Sequence, residues 1–395
     1  MSSDLHAPLS FPYNLGVLLA VNAVSDAYLV LDGPGCSFYR GMMIHGRHDW
    51  ASTLLSADGW HRFQFCGVSA DSIASSYEGM VRDVIRRVAA LDHAGAVLAT
   101  SLPMCTVAGT DYSRLLKDEC GGKPGIVVPA KALTGGWFEG YAAVLESLAR
   151  GLDLSGGSPR PGRVAVVGYF MDRCEADHRG NLVELRRLSG MDVVSIWPSG
   201  GSVEGLKRVR DASTIISLPH GRKAAEVLAK RLKARLVEMD LPFGAKRSAT
   251  WMGAQPMKAP QLGLRVFFVG DPHLAEGMKD ICEQTGSKLV AALSTGFGGP
   301  DTARARDLWS RAKADLLIGN SDAIALLQPE CRVLEFGYPS IGRHCLREEP
   351  YLGFEGARAF IQRMANAQPR TSRPKSAPPS DSTRFKCSSP RKLSP

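Results

Sequence analysis

The sequence predicts an α/β protein of three Rossmann-like domains with mostly parallel sheets. Three observations carry that expectation. Short, nearly continuous apolar runs recur along the chain, Gly95–Leu102, Val164–Gly168 and Arg265–Gly270 among them, as strands covered on both faces require. Stretches with helical periodicity separate such runs, at the spacing of βαβ units. Two Gly- and Pro-bearing breaks, Gly151–Arg163 and Gly253–Gly263, divide the 395 residues into segments of ordinary domain size.

The first segment spans residues 11–150. Ala27–Leu31 is a short apolar run that ends in Asp32-Gly33-Pro34-Gly35, a strand entering a tight loop. In Val81–Leu91 the apolar residues Val81, Val84, Ile85 and Val88 fall on one helical face, with Arg82, Arg86 and Arg87 elsewhere. Strands Gly95–Leu102 and Gly125–Val128 and helix Glu139–Leu148 follow. The second segment opens on strand Val164–Gly168. It continues with helix Asn181–Leu188, strand Asp192–Trp197, helix Ser202–Val209, strand Thr214–Leu218 and helix Arg222–Leu232. The third segment repeats the pattern: strand Arg265–Gly270, helix Ala275–Thr285, strand Lys288–Leu293, helix Thr302–Arg311, strands Asp315–Gly319 and Arg332–Phe336, and helix Gly356–Met364. The expected domains are residues 1–155, 160–255 and 260–367.

Residues 368–395 hold six prolines and seven serines and almost no apolar residue, so a disordered tail is expected. That tail carries seven Lys or Arg against one acid, Asp381, and so accounts for most of the formal charge of +9. The body is close to neutral, which argues against a nucleic-acid partner. The longest apolar candidate, Leu15–Val21, falls far short of the ~18 residues of a membrane span. Met1–Ser10 lacks a basic n-region, which argues against a secretory signal and for a cytoplasmic protein.

Several common chemistries lack their signatures. There is no G-x-x-x-x-G-K-[ST], hence no ordinary ATP-binding P-loop, and no G-x-G-x-x-G after any expected strand. C-x-x-C and H-E-x-x-H are absent as well. The nine scattered cysteines do not read as a disulfide framework. Three of them stand at loop positions of the first domain. Cys36 follows Asp32-Gly33-Pro34-Gly35, just past a strand, where ligands bind in open α/β sheets and where Gly33 and Gly35 let backbone pass close to a bulky group. Cys105 follows the strand that ends near Ser101, and Cys66 follows Phe63-Gln64-Phe65. Three such thiols suit an iron–sulfur cluster, which takes soft thiolate ligands. The alternative is burial of each thiol as a small hydrophobe, the reading given to Cys282 and Cys331.

Four stretches resemble the nitrogenase component 1 type oxidoreductases. Tyr13-Asn14-Leu15-Gly16 followed by Asp32 to Cys36 is similar to the family's opening. Ser101 to Asp111, with Cys105 and Gly109-Thr110-Asp111, is similar to its later ligand-cysteine segment. Gly125 to Val128 with Gly135 to Tyr141 resembles a third family segment. Gly337 to His344 with Tyr351 to Ala357 resembles the family's close, nearer the β-type subunit than the α-type. Two places depart from the pattern: Phe11-Pro12-Tyr13 stands where the family places its first ligand cysteine, and Asp32 where it more often has His.

The resemblance implies a subunit that pairs with a homologous α-type subunit. It implies electrons received from a separate ATP-dependent iron–sulfur reductase, in keeping with the missing P-loop. It further implies a [4Fe-4S] type cluster shared with the partner, held by Cys36 and Cys105 with Cys66 or Asp32 standing in for the missing cysteine. The reducible substrate expected is a tetrapyrrole or a small molecule. Two other roles fit the same residues: a non-catalytic scaffold for metallocluster assembly, and a structural partner subunit without a cluster.

Overall fold

The computed structural model describes residues 9–34, 62–69, 71, 77–131, 133–170, 189–198, 201–253, 258–338 and 350–369. Three sheets organise them, matching the expected α/β class. The first contains β1 (Ala27–Asp32), β2 (Phe63–Phe65), β3 (Ala96–Ser101) and β4 (Gly125–Val127) in the order β2-β1-β3-β4, all parallel. The second contains β5 (Arg160–Val167), β6 (Asp192–Trp197), β7 (Ala212–Ser217) and β8 (Arg235–Glu238) in the order β6-β5-β7-β8, again parallel. The third has β9 (Arg265–Gly270), β10 (Lys288–Ser294), β11 (Leu316–Gly319), β12 (Arg332–Glu335) and β13 (Gln368–Pro369) in the order β10-β9-β11-β12-β13, with only β13 antiparallel.

The three sheets share one winding rule. The chain lays its second strand on one side of the first, then crosses to place the third on the other side. Each sheet therefore has a topological switch point, between β1 and β3, β5 and β7, and β9 and β11. At such points the connections diverge and leave a crevice at the carboxyl ends of the strands.

The helices among the described residues are α1 (Tyr13–Asn22), α2 (Glu78–Ala89), α3 (Pro103–Thr106), α4 (Tyr112–Glu119), α5 (Trp137–Gly151), α6 (Val203–Lys207), α7 (Arg222–Leu232), α8 (Ala245–Met252), α9 (Ala275–Gln284), α10 (Thr302–Ala312), α11 (Ser321–Leu327) and α12 (Gly353–Ala365). On α2 the buried residues are Val81, Val84, Ile85 and Val88, the face its periodicity predicts. Arg82 and Arg86 leave that face for Glu119 on α4, at 2.8 and 2.9 Å. Helix α5 starts with a carboxylate lock, the Glu139 side chain accepting from the Gly136 N–H at 2.9 Å.

Alternation along β5 joins the sheets. Ala165 and Val167 enter a core shared with the first sheet and with α1, α5 and α7. Val164 and Val166 enter a core shared with Val266, Phe268, Leu316 and Ile318 of the third sheet. Successive residues of a strand face opposite sides, so one strand serves both cores.

Arg62 is buried and caps the end of α1. Its guanidinium donates to the carbonyls of Val21, Asn22, Val24 and Ala27 at 2.7–3.0 Å. Two of them, Val21 O and Val24 O, also accept the backbone N–H groups of Val24 and Ala27, and the cation faces the negative end of the helix dipole.

Some expectations shift. β5 begins at Arg160, inside the expected linker, because the backbone of Arg160 already pairs with Ala212. Gln368 and Pro369, assigned by composition to the tail, pair with Val333 and Arg332. Cys331, expected to be buried, is partly exposed at the turn before β12, whereas Cys282 is buried on α9. Helix Asn181–Leu188 and residues 370–395 lie outside the described residues.

Candidate functional site

Asp32, Cys66 and Cys105 meet at the carboxyl edge of the first sheet, at its switch point. Asp32 is the last residue of β1 and pairs in register with Ser101, the last of β3. The Cys66 N–H donates to Leu31 O at 3.3 Å, holding the residue after β2 against β1. Cys105 sits in α3, and its N–H donates to Leu102 O at 2.9 Å. Both thiols are buried in one apolar cluster with Tyr77, Val81 and Leu115.

The Asp32 carboxylate is fully buried. Its Oδ2 accepts from the Tyr77 hydroxyl at 3.1 Å and from the Tyr112 hydroxyl. The Tyr77 hydroxyl also lies 3.1 Å from the Cys105 carbonyl, tying α3 to the site. Among the described residues, Oδ1 accepts no hydrogen bond from nitrogen or oxygen; the Cys105 thiol interacts with the carboxylate alongside the two tyrosines. Burial pushes the Asp32 carboxyl above its ordinary range, and the hydroxyl donors offset part of that. Burial, then the nearby carboxylate, pushes the Cys105 thiol up to about 11. Burial also raises the Cys66 thiol, reinforced by Asp32 and Cys105 and opposed by Arg87.

These thiols are therefore neutral until a positive charge enters and stabilises the thiolates, which is what a bound metal centre does. Two soft donors and a carboxylate with an unsatisfied oxygen, on one dry sheet edge, fit an iron–sulfur group approached from one side. Of the residues singled out in the sequence, Cys66, Cys105 and Asp32 are thus brought together. Gly33 lies beside them, where an added Cβ would come within 2.6 Å of the Leu102 side chain. Gly35 and Cys36 lie outside the described residues. Ahead of Leu15-Gly16, Phe11 packs edge-on against Trp137 at 5.2 Å and the Tyr13 hydroxyl donates to Pro129 O at 2.7 Å. Aromatic packing fills that position.

A second locus, missed in the sequence, lies where the three sheets meet. Trp137 of α5 donates its indole N–H to Thr295 O at 3.0 Å, and the Tyr141 hydroxyl donates to Tyr169 O at 2.8 Å. A cleft there is lined by Trp137, Phe170, Asp271, Thr295, Asn320 and Tyr338. Asp271 and Asn320 directly follow β9 and β11, the switch-point strands of the third sheet. Position was the available signal: a polar residue immediately after a buried strand, in the repeated pattern.

The comparisons with known proteins agree with this architecture. A search of the curated proteins by sequence finds no match. Among solved structures, the chain is similar to nitrogenase Cp1 at pH 6.5, with a TM-score of 0.73 at 15% identity over 91% of this chain and 92% of that one. It is also similar to nitrogenase Cp1 at pH 5, with a TM-score of 0.69 at 12% identity over 92% and 89%. At those identities the likeness speaks for the fold. The family description "Nitrogenase component 1 type Oxidoreductase" matches residues 13–255 and 257–368. The chain, from the opening helix to the last strand, belongs to the nitrogenase component 1 type oxidoreductase family.

Proposed function

We propose that the chain is a β-like subunit of a nitrogenase-like oxidoreductase. It acts with a homologous α-type subunit, and a separate ATP-dependent iron–sulfur reductase supplies the electrons. Cys36, Cys66 and Cys105 are the proposed ligands of an iron–sulfur cluster of [4Fe-4S] type shared with the partner. Gly33 and Gly35 shape the loop beside it. When bound, such a cluster passes single electrons toward a reducible substrate.

One observation carries the reading: in a chain of this oxidoreductase family, two buried thiols and an under-bonded carboxylate converge at the switch point of the first sheet. Each residue has a task. Cys66 and Cys105 offer the soft donors. Tyr77 and Tyr112 fix the Asp32 carboxylate by their hydroxyls. The apolar cluster around them excludes water and so tunes the potential of any group held there. With Phe11 and Tyr13 in the family's first cysteine position, this chain supplies fewer than the ~4 thiolates a cluster needs, which is why a partner belongs to the proposal.

The test is iron content and the reduced-state paramagnetic resonance spectrum of the anaerobically purified complex. Cys36→Ser and Cys105→Ser each lose the cluster, and Cys282→Ser keeps it. Full iron with an unaltered spectrum in both of the first two variants overturns the assignment. A wild-type complex without iron points instead to a structural partner.

A further inference from the structure

We propose that His220, Asp271 and His273 form a separate binding site for one divalent transition-metal ion, where the second and third sheets face each other. It shares no residue with the thiol cluster and does not rest on the function proposed above.

The three side chains come from two sheets. His220 lies in the turn Pro219–Gly221 after β7, and Asp271 and His273 lie in the turn after β9. β7 and β9 each border a switch point, so both turns sit in positions where α/β sheets bind ligands. Their donor atoms all lie within 4.8 Å of one another. The closest pair, His220 Nε2 and Asp271 Oδ2, stands at 2.6 Å.

Two of the donors, His220 and Asp271, are held from behind. The His220 turn is pinned to the end of β5: a Cβ on Gly221 would lie 2.4 Å from the Gly168 Cα, and one on Gly168 2.3 Å from the Gly221 nitrogen. No side chain can separate those two backbones. The His220 ring stacks on Phe138 at 5.0 Å and packs against Phe170 at 4.7 Å, and the residue is 3% exposed. The other carboxylate oxygen of Asp271 accepts from the His273 main-chain N–H at 2.9 Å, which leaves Oδ2 aimed at the imidazole. The His273 ring stands edge-on to that of His220, with centroids 4.8 Å apart.

Two imidazoles and one carboxylate are a borderline donor set. They suit Zn²⁺ or Fe²⁺ and not Mg²⁺ or Ca²⁺, which take oxygen ligands. A tetrahedral ion with bonds of ~2.0–2.2 Å keeps its donors about 3.3 Å apart. The His220–Asp271 pair must open slightly and His273, which is exposed, must swing in. Three protein ligands leave a coordination position open, as in sites that bind a further molecule. Asp271 also lines the cleft at the junction of the sheets, and there the buried Thr295 hydroxyl has no hydrogen-bond partner. An ion at this site would thus stand at the edge of a cleft that holds an unsatisfied polar group.

The test uses the full chain, with its partner subunit where one copurifies, and Zn²⁺ as the probe. After equilibration with Zn²⁺ and removal of free metal, elemental analysis should find about one equivalent. The zinc X-ray absorption fine structure should show imidazole scattering and no sulfur. His273→Ala, at an exposed position, should fold normally and weaken Zn²⁺ binding by about tenfold or more. Asp271→Asn should weaken it too. The double variant Cys66→Ser with Cys105→Ser should retain this zinc, so loss of the iron–sulfur assignment and loss of this site are read separately. Wild-type protein that binds no more Zn²⁺ than His273→Ala, or a zinc spectrum dominated by sulfur, overturns the site and leaves a hydrogen-bonded His–Asp pair joining two sheets.

Discussion

Gly16 on α1 faces the Trp137 carbonyl on α5 so closely that a Cβ built on it would stand 1.6 Å from the oxygen. The contact is reciprocal, since a Cβ on Gly140 of α5 would stand 2.0 Å from the Tyr13 carbonyl of α1. Two sequence segments more than a hundred residues apart are thus glycine-bearing halves of one helix crossing. Each glycine is required by the partner backbone.

Gly16→Ala should therefore destabilise the protein by about 3 kcal/mol or more, because neither backbone can yield without moving the shared core. Gly79→Ala is the control: it lies in α2, and an added Cβ meets nothing within 4 Å. Helix propensity there predicts a gain of about 0.5–1 kcal/mol. Urea unfolding of both variants measures the difference, and equal midpoints would contradict the crossing.

Arg62→Leu should cost about 3 kcal/mol. It removes a buried guanidinium bonded to four carbonyls around the end of α1, two of which, Val21 O and Val24 O, keep only the backbone donors Val24 N–H and Ala27 N–H. Burial pulls the Arg62 pKa down to about 10, still high enough for the group to be cationic at neutral pH. Amide exchange should report fraying at Asn22 to Ala27 before the centre of α1. Unchanged protection there would show that the cap is dispensable.

Asp26 predicts a pH dependence. Its carboxylate accepts from the Val203 N–H at 2.7 Å, yet burial raises its pKa above the ordinary carboxylate value. The folded state then holds this proton more tightly than the unfolded chain. The stability it contributes is complete below the unfolded pKa of about 3.9 and is lost as pH rises through the raised folded value. Asp26→Asn cannot ionise and should flatten that slope. Comparing urea midpoints from acid to neutral pH, wild type should gain on the variant toward acid; a constant difference would refute the shift.

Truncation after Pro369 should leave the thermal midpoint unchanged, because the removed residues 370–395 carry little apolar surface. Truncation before Gln368 also removes β13 from the edge of β12, and should lower the midpoint slightly. Identical midpoints would show that β13 contributes nothing.

The parts of the fold legible in the sequence were those with a single strong signal. Helix α7 matches its expected limits, Arg222–Leu232, because its buried residues Ala224, Ala225, Leu228 and Ala229 follow helical spacing. Helix α1 gave no such signal. Nine of its ten residues are buried, so apolar residues surround it and no face stands out. β2 has three residues and β8 exposes both its ends, too little pattern to read alone. The nearness of Cys66 and Cys105 was legible because Cys66 directly follows β2 and Cys105 stands within a short turn of the end of β3. The role of Asp32 as the centre of a tyrosine network was hidden, since Tyr77 and Tyr112 are 45 and 80 residues away. His220 and Asp271 are 51 residues apart, and no spacing motif joins two turns of different sheets.

The two-sided role of β5 has a consequence for a severed chain. A nick between Leu152 and Pro159 would break the covalent path from the first sheet to the second, but Ala165 and Val167 would still be packed in the first sheet's core and Val164 and Val166 in the third's. The pieces should migrate as one particle in native conditions and part only in denaturant. Expressed alone, the middle segment would keep α7 over one face of its sheet but would expose Val164 and Val166 on the other, and should aggregate; its fold is a property of the whole polypeptide.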